Sequence, residues 1–360
     1  MLLESLAKWD PFQIDALGLI TIFGAEAIQK SIGNLTQSWI CEYLPVLGSH
    51  VIASNQITDP VPGFVLYNIT DAIVATDITS WFTRWLLSYR ITYAATTITL
   101  TMDGRPMSAS SHSASLALGM CCTAPLVILT VLMGDNWGIA NFVSMIVTVI
   151  VRQLMLWELR LSIDKAVEKS RRDPGDEVKV FLTLPDGRAV TILGPRSMIV
   201  NCLLTDPRPL HPQLYMALQF VAWLAFGGQA IALGMSTLFH QILCVVIMLF
   251  GTFLTAMHIG DLPFAIGTQL RLDVDLGDPD WLRSPAYARL NLTRIEEDTM
   301  VHWNMMPQRS NEFWWTRFRT TYVPQRIPLH PDKPVPRHDG EKDPGQTLER
   351  SAALTDDKQV

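Results

Sequence analysis

Two apolar segments, Leu116–Met133 and Ile139–Leu156, follow one another across the turn Gly134-Asp135-Asn136-Trp137-Gly138, and neither carries an Asp, Glu or Lys in its interior. A helix rises about 1.5 Å per residue, so roughly 20 such residues cross a hydrocarbon core of about 30 Å. A second pair, Leu214–Phe239 and Ile242–Met257, has almost nothing between its members. The pattern predicts an α-helical integral membrane protein with four transmembrane helices as two hairpins.

Composition agrees. Only 17% of residues are charged, against roughly 25% in soluble proteins, and the mean hydropathy is +0.21. The net charge of −6 comes without a basic stripe interleaved with aromatics, which excludes nucleic acid as a partner class. Five scattered cysteines, Cys41, Cys121, Cys122, Cys202 and Cys244, match neither a zinc spacing nor a disulfide framework. They read as buried free thiols. No cofactor or metal is expected; His112 and His240 each stand alone.

Lys and Arg set the orientation. Arg84, Arg90 and Arg105 precede the first span, and Arg152, Arg160, Lys165, Lys169, Arg171 and Arg172 follow the second. Arg188, Arg196 and Arg208 precede the third, Arg271, Arg283 and Arg289 follow the fourth, and neither short turn carries either residue. The positive-inside rule then puts both termini and the central loop in the cytosol of an intracellular membrane such as the endoplasmic reticulum. No basic stretch leads into an apolar core at the start, so the first span is expected to serve as the insertion signal.

The chain is expected to divide into a cytosolic or interfacial N-terminal region (1–110), hairpin 1 (111–157), a cytosolic loop (158–212), hairpin 2 (213–260), a cytosolic interfacial region (261–323) and a disordered tail (324–360). Ala16–Ala25 is too short to span. Trp81–Tyr93 mixes aromatics with Arg84 and Arg90, which predicts an amphipathic element at the headgroup level. Ile91–Met102 reads as a strand closing on Asp103-Gly104, and Val178–Leu184 with Ala189–Leu193 as a small β-hairpin around Pro185-Asp186-Gly187. Asn311–Tyr322 reads as an aromatic-basic interfacial helix, and Asn34 and Asn68 as chance matches to the glycosylation pattern.

Within the spans, Pro125 predicts a kink that neighbouring donors can satisfy. Arg152 is expected to snorkel to the interface, the sharper alternative being a phosphate contact. Gly228/Ala232 and Ala230/Gly234 form small-xxx-small pairs for close helix packing, with Gln219 and Gln229 hydrogen-bonding between helices. Candidate chemistry concentrates at Asp135 and Asn141, as an acid and its orienting partner, and at Asp261 with His258 one turn earlier. Each also has a structural reading: Asp135 or Asn136 as a helix cap, His258 and Asp261 as interfacial groups.

The stretches GDNWGIAN, VKVFLTLPDGRAV and GDLPF, spread over about residues 90 to 275, resemble a group of multi-pass membrane proteins of filamentous fungi. Some of that group are accessory to secondary-metabolite pathways of the indole-diterpene type. The resemblance implies lipophilic, terpenoid-like intermediates, and the extended cytosolic loop and aromatic-basic segments are expected to recruit pathway enzymes as partners. Fungal membrane terpene cyclases use acidic residues among their helices, and these spans carry none at mid-depth. The leading expectation is therefore an accessory or scaffold protein in the bilayer. A membrane-embedded cyclase or transferase, with Asp135 or Asp261 as acid and Trp223 and Phe226 facing a carbocation, is the alternative. A transporter or channel component, needing a homo-oligomer with Gln219, Gln229 and Asn141 on one face, is the second.

Overall fold

The computed structural model describes residues 18, 25–38, 41–89, 91, 94, 96–102, 109–257, 264–277 and 282–323. His258, Asp261, the Asp103-Gly104 turn, most of Ala16–Ala25 and the tail 324–360 lie outside these residues. Most of what is described is helical.

The N-terminal part makes α1 (Ala25–Gly33) and the short α2 (Ser49–Ala53). Strands β1 (Val65–Asn68) and β2 (Ile73–Ala75) pair antiparallel, and α3 (Ser80–Ser88) leads on to β3 (Thr97–Thr101). Helix α3 corrects the reading of Trp81–Tyr93 as a headgroup-level element. Trp81, Phe82, Arg84 and Trp85 are all at most 2% exposed, and Phe82 stacks on Trp85 at 5.8 Å. Arg84 can be buried because its guanidinium donates to the carbonyls of Ser80 (3.2 Å) and Gln56 (2.8 Å). Burial still pulls its pKa below the ordinary arginine value.

Two long apolar helices follow, α4 (Ala109–Met133) and α5 (Asn136–Arg172). The apolar stretch and the charged amphipathic stretch after it are one continuous 37-residue helix, on the order of 55 Å long. It ends where Asp173-Pro-Gly175 stops helical propagation, with Gly175 at φ 66°. Strands β4 (Glu177–Thr183) and β5 (Ala189–Pro195) form the expected hairpin, closed by the Leu184 and Gly187 backbone bonds at 2.8 and 3.0 Å.

A short turn (Arg196–Met198) and a π-helical turn (Ile199–Leu203) lead to α6 (Pro212–Met235) and α7 (Leu238–Met257). The break between these two falls at Ser236-Thr237, four residues before the expected one at His240-Gln241. The dip in hydropathy at His240-Gln241 suggested a turn, but His240 is 2% exposed and fully inside α7. Four helices, α4 to α7, are thus long and apolar enough to cross a membrane.

Strands β6 (Phe264–Ile266) and β7 (Leu270–Asp275) complete the sheet, followed by α8 (Arg283–Arg289), α9 (Arg294–His302) and α10 (Glu312–Arg317). The expected small hairpin is in fact two strands of a seven-stranded sheet ordered β2-β1-β4-β5-β3-β7-β6. All pairs are antiparallel except β3 with β5. Sequence patterning hid this because β1, β2 and β6 are only three or four residues long.

Strand alternation gives the sheet two apolar faces. Leu66, Val180, Leu182, Val190, Ile192, Ile98 and Leu272 pack with α1, α3 and the second half of α5. Phe181, Ala189, Tyr67 and Leu193 face α8 to α10, with Phe181 edge-on to Tyr287 at 5.2 Å. Trp315 and Phe318 belong to this second core at 6% and 3% exposure. The segment Asn311–Tyr322 therefore packs against the sheet, and its most exposed aromatic is Phe313 at 80%.

Candidate functional site

Most buried charge in the long helices is arranged along α5. At its start Asp135 is the N-cap: one carboxylate oxygen accepts the N–H of Gly138 at 2.9 Å. The other accepts the N–H of Thr237, at the start of α7, at 2.8 Å. One carboxylate thus answers two helix N-termini, where orphan N–H groups and the helix dipole both favour an anion.

One turn further on, Asn141 is completely buried and donates its amide to His240 Nε2 at 2.9 Å and to Cys244 Sγ at 3.3 Å. The other ring nitrogen, Nδ1, lies 2.8 Å from Thr130 Oγ1. Thr130 gives its only hydroxyl proton to the Leu126 carbonyl at 2.6 Å, so it must accept from His240. That assigns a neutral imidazole with the proton on Nδ1 and the lone pair on Nε2. His240 is not solitary, as the sequence suggested, but joins α4, α5 and α7. Gly138 leaves it room, since a Cβ there would stand 2.9 Å from Nδ1. Below it the stripe continues through Cys244 to Met248, whose sulfur receives Gln229 of α6 at 3.7 Å.

Toward the sheet, a segment of the N-terminal region enters between the helices. Cys41, Leu44, Val46 and Leu47 are buried, and the Leu47 N–H donates to Thr252 Oγ1 at 2.9 Å. The chain fits because glycines face it: a Cβ on Gly119 would lie 2.7 Å from the Tyr43 carbonyl oxygen, and one on Gly251 would collide with that of Pro45. Arg152 is 3% exposed and donates to the Glu42 and Leu44 carbonyls, the latter at 3.0 Å. It neither reaches outward as expected nor sits free to hold a phosphate; it pins this segment.

Arg160 completes the junction. It pairs with the Glu42 carboxylate and donates to the Leu35 and Thr36 carbonyls at 2.9 and 2.7 Å. Glu158 is fully buried and accepts from the backbone and ring nitrogens of His211 at 3.2 and 3.0 Å, fixing the entry to α6. Asp164 takes the N–H of Thr268 at 2.8 Å and of Gln269 at 3.1 Å, holding the β6–β7 turn. A charge inside an otherwise apolar helix requires a buried partner, and that rule was the available signal for Arg152, Glu158 and Arg160. No periodicity identifies the partners, which lie 53 to 125 residues distant.

Of the candidates read from the sequence, Asp135 and Asn141 flank the same histidine, and Asp261 lies outside the described residues. Asp135 has both oxygens on backbone donors, and His240 has both ring nitrogens bonded. The one atom left over is Asn141 Oδ1, buried without a hydrogen-bond partner. Chemically, the cluster is suited to holding helices together. No group of three or more His, Cys, Asp or Glu that could hold a metal occurs among the described residues. The free thiols divide: Cys41, Cys202 and Cys244 are buried as expected, whereas Cys121 is exposed. Asn34 and Asn68 are 0% and 3% exposed and bonded internally. Comparison with protein-family models, curated proteins and solved structures finds no match.

Proposed function

We propose that this protein is an integral membrane platform, with α4 to α7 inserted as two hairpins and the sheet domain held against the cytosolic surface by α5. Both termini then lie on the cytosolic side of an intracellular membrane. The belt of exposed apolar residues on the four helices, including Met120, Ile128, Leu132, Phe220, Leu224, Ile231, Phe250 and Phe253 at 51–64% exposure, supports insertion, because a soluble monomer seldom exposes such a continuous patch. Its role is accessory: it organises enzymes that act on lipophilic, terpenoid-like intermediates, the class implied by the sequence resemblance.

One observation carries the scaffold reading over the catalytic one. The two oxygens of Asp135 each hold a different helix start, so the best-placed carboxylate in the bundle is a structural cap. An Asp135→Asn, Asp261→Asn double variant separates the readings in the producing strain. The scaffold keeps making the same metabolites, since Asn also caps helices, whereas an acid-dependent cyclase loses its product. Conversion of a prenylated substrate by the purified protein alone would contradict the accessory role.

A further inference from the structure

Helix α5 changes character along a single exposed stripe. Ile150, Leu154 and Trp157 are 52%, 42% and 53% exposed, and steps of three and four residues carry the same face through Leu161 to Lys165, Lys169 and Arg172. Trp157 stands 21 residues beyond Asn136, about 30 Å at the helical rise, which is the thickness of a hydrocarbon core. The greasy part of the stripe therefore ends with a tryptophan at the interface, and the basic part begins just above it.

There the helix forms one wall of an open groove of about 410 Å³, lined by Ser162, Lys165, Lys169, Arg172, Asn201 and Thr205. A smaller recess of about 200 Å³ shares Ser162, Asn201 and Thr205 and adds Arg208. Carboxylates facing this space are few. Glu168 pairs with Arg172 at 2.7 Å, and Asp206 accepts the Ser80 N–H at 2.9 Å. Lys165 and Lys169 have no ion pair among the described residues; Lys169 reaches Asn201 Oδ1 at 3.3 Å. The groove is thus net basic, with Ala166 and the aliphatic stems of its lysines among its walls, and it lies on the same helix face as the apolar track.

We propose that this groove binds the headgroup of a phosphoinositide whose acyl chains lie along Ile150, Leu154 and Trp157. Reach selects the headgroup. Lys165 and Lys169 lie about 12 and 18 Å beyond the end of the hydrocarbon by helical rise, past the interfacial layer of roughly 5–8 Å that holds a glycerol phosphate. A phosphate carried on an inositol ring extends to that level. Clustered Lys and Arg just cytoplasmic of a span supply the attraction, and Asn201, Thr205 and Ser162 supply neutral hydrogen-bonding groups.

The inference rests on the membrane insertion proposed above, and one preparation tests the two separately. The full chain is reconstituted into phosphatidylcholine nanodiscs, and co-elution with the discs reports insertion. Microscale thermophoresis then follows titration with dioctanoyl phosphatidylinositol 4-phosphate, dioctanoyl phosphatidylserine, inositol 1,4-bisphosphate and inorganic phosphate. The expected result is binding of the phosphoinositide at least about tenfold tighter than of the other three, a loss of about tenfold or more in Lys165→Gln/Lys169→Gln, and retention in Lys165→Arg/Lys169→Arg. Both lysines are exposed, and an unchanged melting curve verifies that the Gln variant is folded. Equal binding of inositol 1,4-bisphosphate or phosphate would make this a site for a soluble phosphate. Equal binding of phosphatidylserine, a Gln variant that binds like the parent, or no binding by protein that enters the discs would overturn the proposal.

Discussion

The carboxylate of Asp135 joins the start of α5 to Thr237 at the start of α7, accepting the Thr237 N–H at 2.8 Å while its other oxygen holds Gly138 at 2.9 Å. A cap removed from one helix costs about 0.5–2 kcal/mol, and this residue caps two. Asp135→Ala is expected to destabilise the detergent-solubilised protein by roughly 1–4 kcal/mol, with Asp135→Asn in between because it keeps one acceptor. Thermal unfolding of the three proteins checks the order.

Thr130→Val tests the histidine assignment. The substitution keeps the side-chain shape but removes the acceptor for His240 Nδ1–H, leaving a buried donor unpaired at a cost of about 1–3 kcal/mol. In a His240→Leu background the same change is expected to cost far less, because the donor is gone. Equal effects in both backgrounds would place the Nδ1 proton elsewhere.

The two ends of the Arg160–Glu42 pair are 8% and 6% exposed. Removing one partner of such a pair leaves a buried charge, at a cost of about 3–5 kcal/mol. Glu42→Leu is therefore expected to free the Cys41–Leu47 segment, read as new proteolytic cleavage between α1 and α2. Replacing both partners with apolar residues should recover part of the loss.

Glycines in the four long helices divide by what faces them. A Cβ at Gly251 would strike the Pro45 carbonyl oxygen, whereas at Gly227 nothing lies within 4 Å. Gly251→Ala is expected to destabilise the protein, and Gly227→Ala to be neutral or stabilising by up to about 1 kcal/mol through helix propensity. Paired melting curves decide it.

Cys202 lines the smaller recess by the α5 groove yet is only 2% exposed, and burial pushes its thiol up to about 12. At pH 8 its thiolate fraction is about one in ten thousand. Iodoacetamide is expected to leave Cys202 unmodified in the folded protein and to label it fully after denaturation, as read by peptide mass spectrometry.

How far the sequence revealed this molecule follows from the range of each signal. The four apolar helices and the β4–β5 hairpin are local patterns, and the chain states them directly. Asp135 as a cap is equally local, since Gly138 is three residues away; its second helix, at Thr237, is 102 residues away and leaves no trace in the spacing. The place of helix α3 is not legible locally, because aromatics mixed with arginine suit a headgroup layer and a buried core alike, and the carbonyl partners of Arg84 decide between them. The entry of Cys41–Leu47 between the helices depends on Gly119, Gly251, Arg152 and Arg160 meeting one segment, a coincidence in space that no window along the chain contains.

Sided labelling of single cysteines tests the central claim, that α5 carries the chain from one face of a membrane to the other. Asn136→Cys and Asp186→Cys, each in a cysteine-free background, are treated with a membrane-impermeant maleimide in sealed microsomes. The account predicts that position 186 labels at once and position 136 only after permeabilisation. Equal labelling of both in sealed vesicles would contradict it.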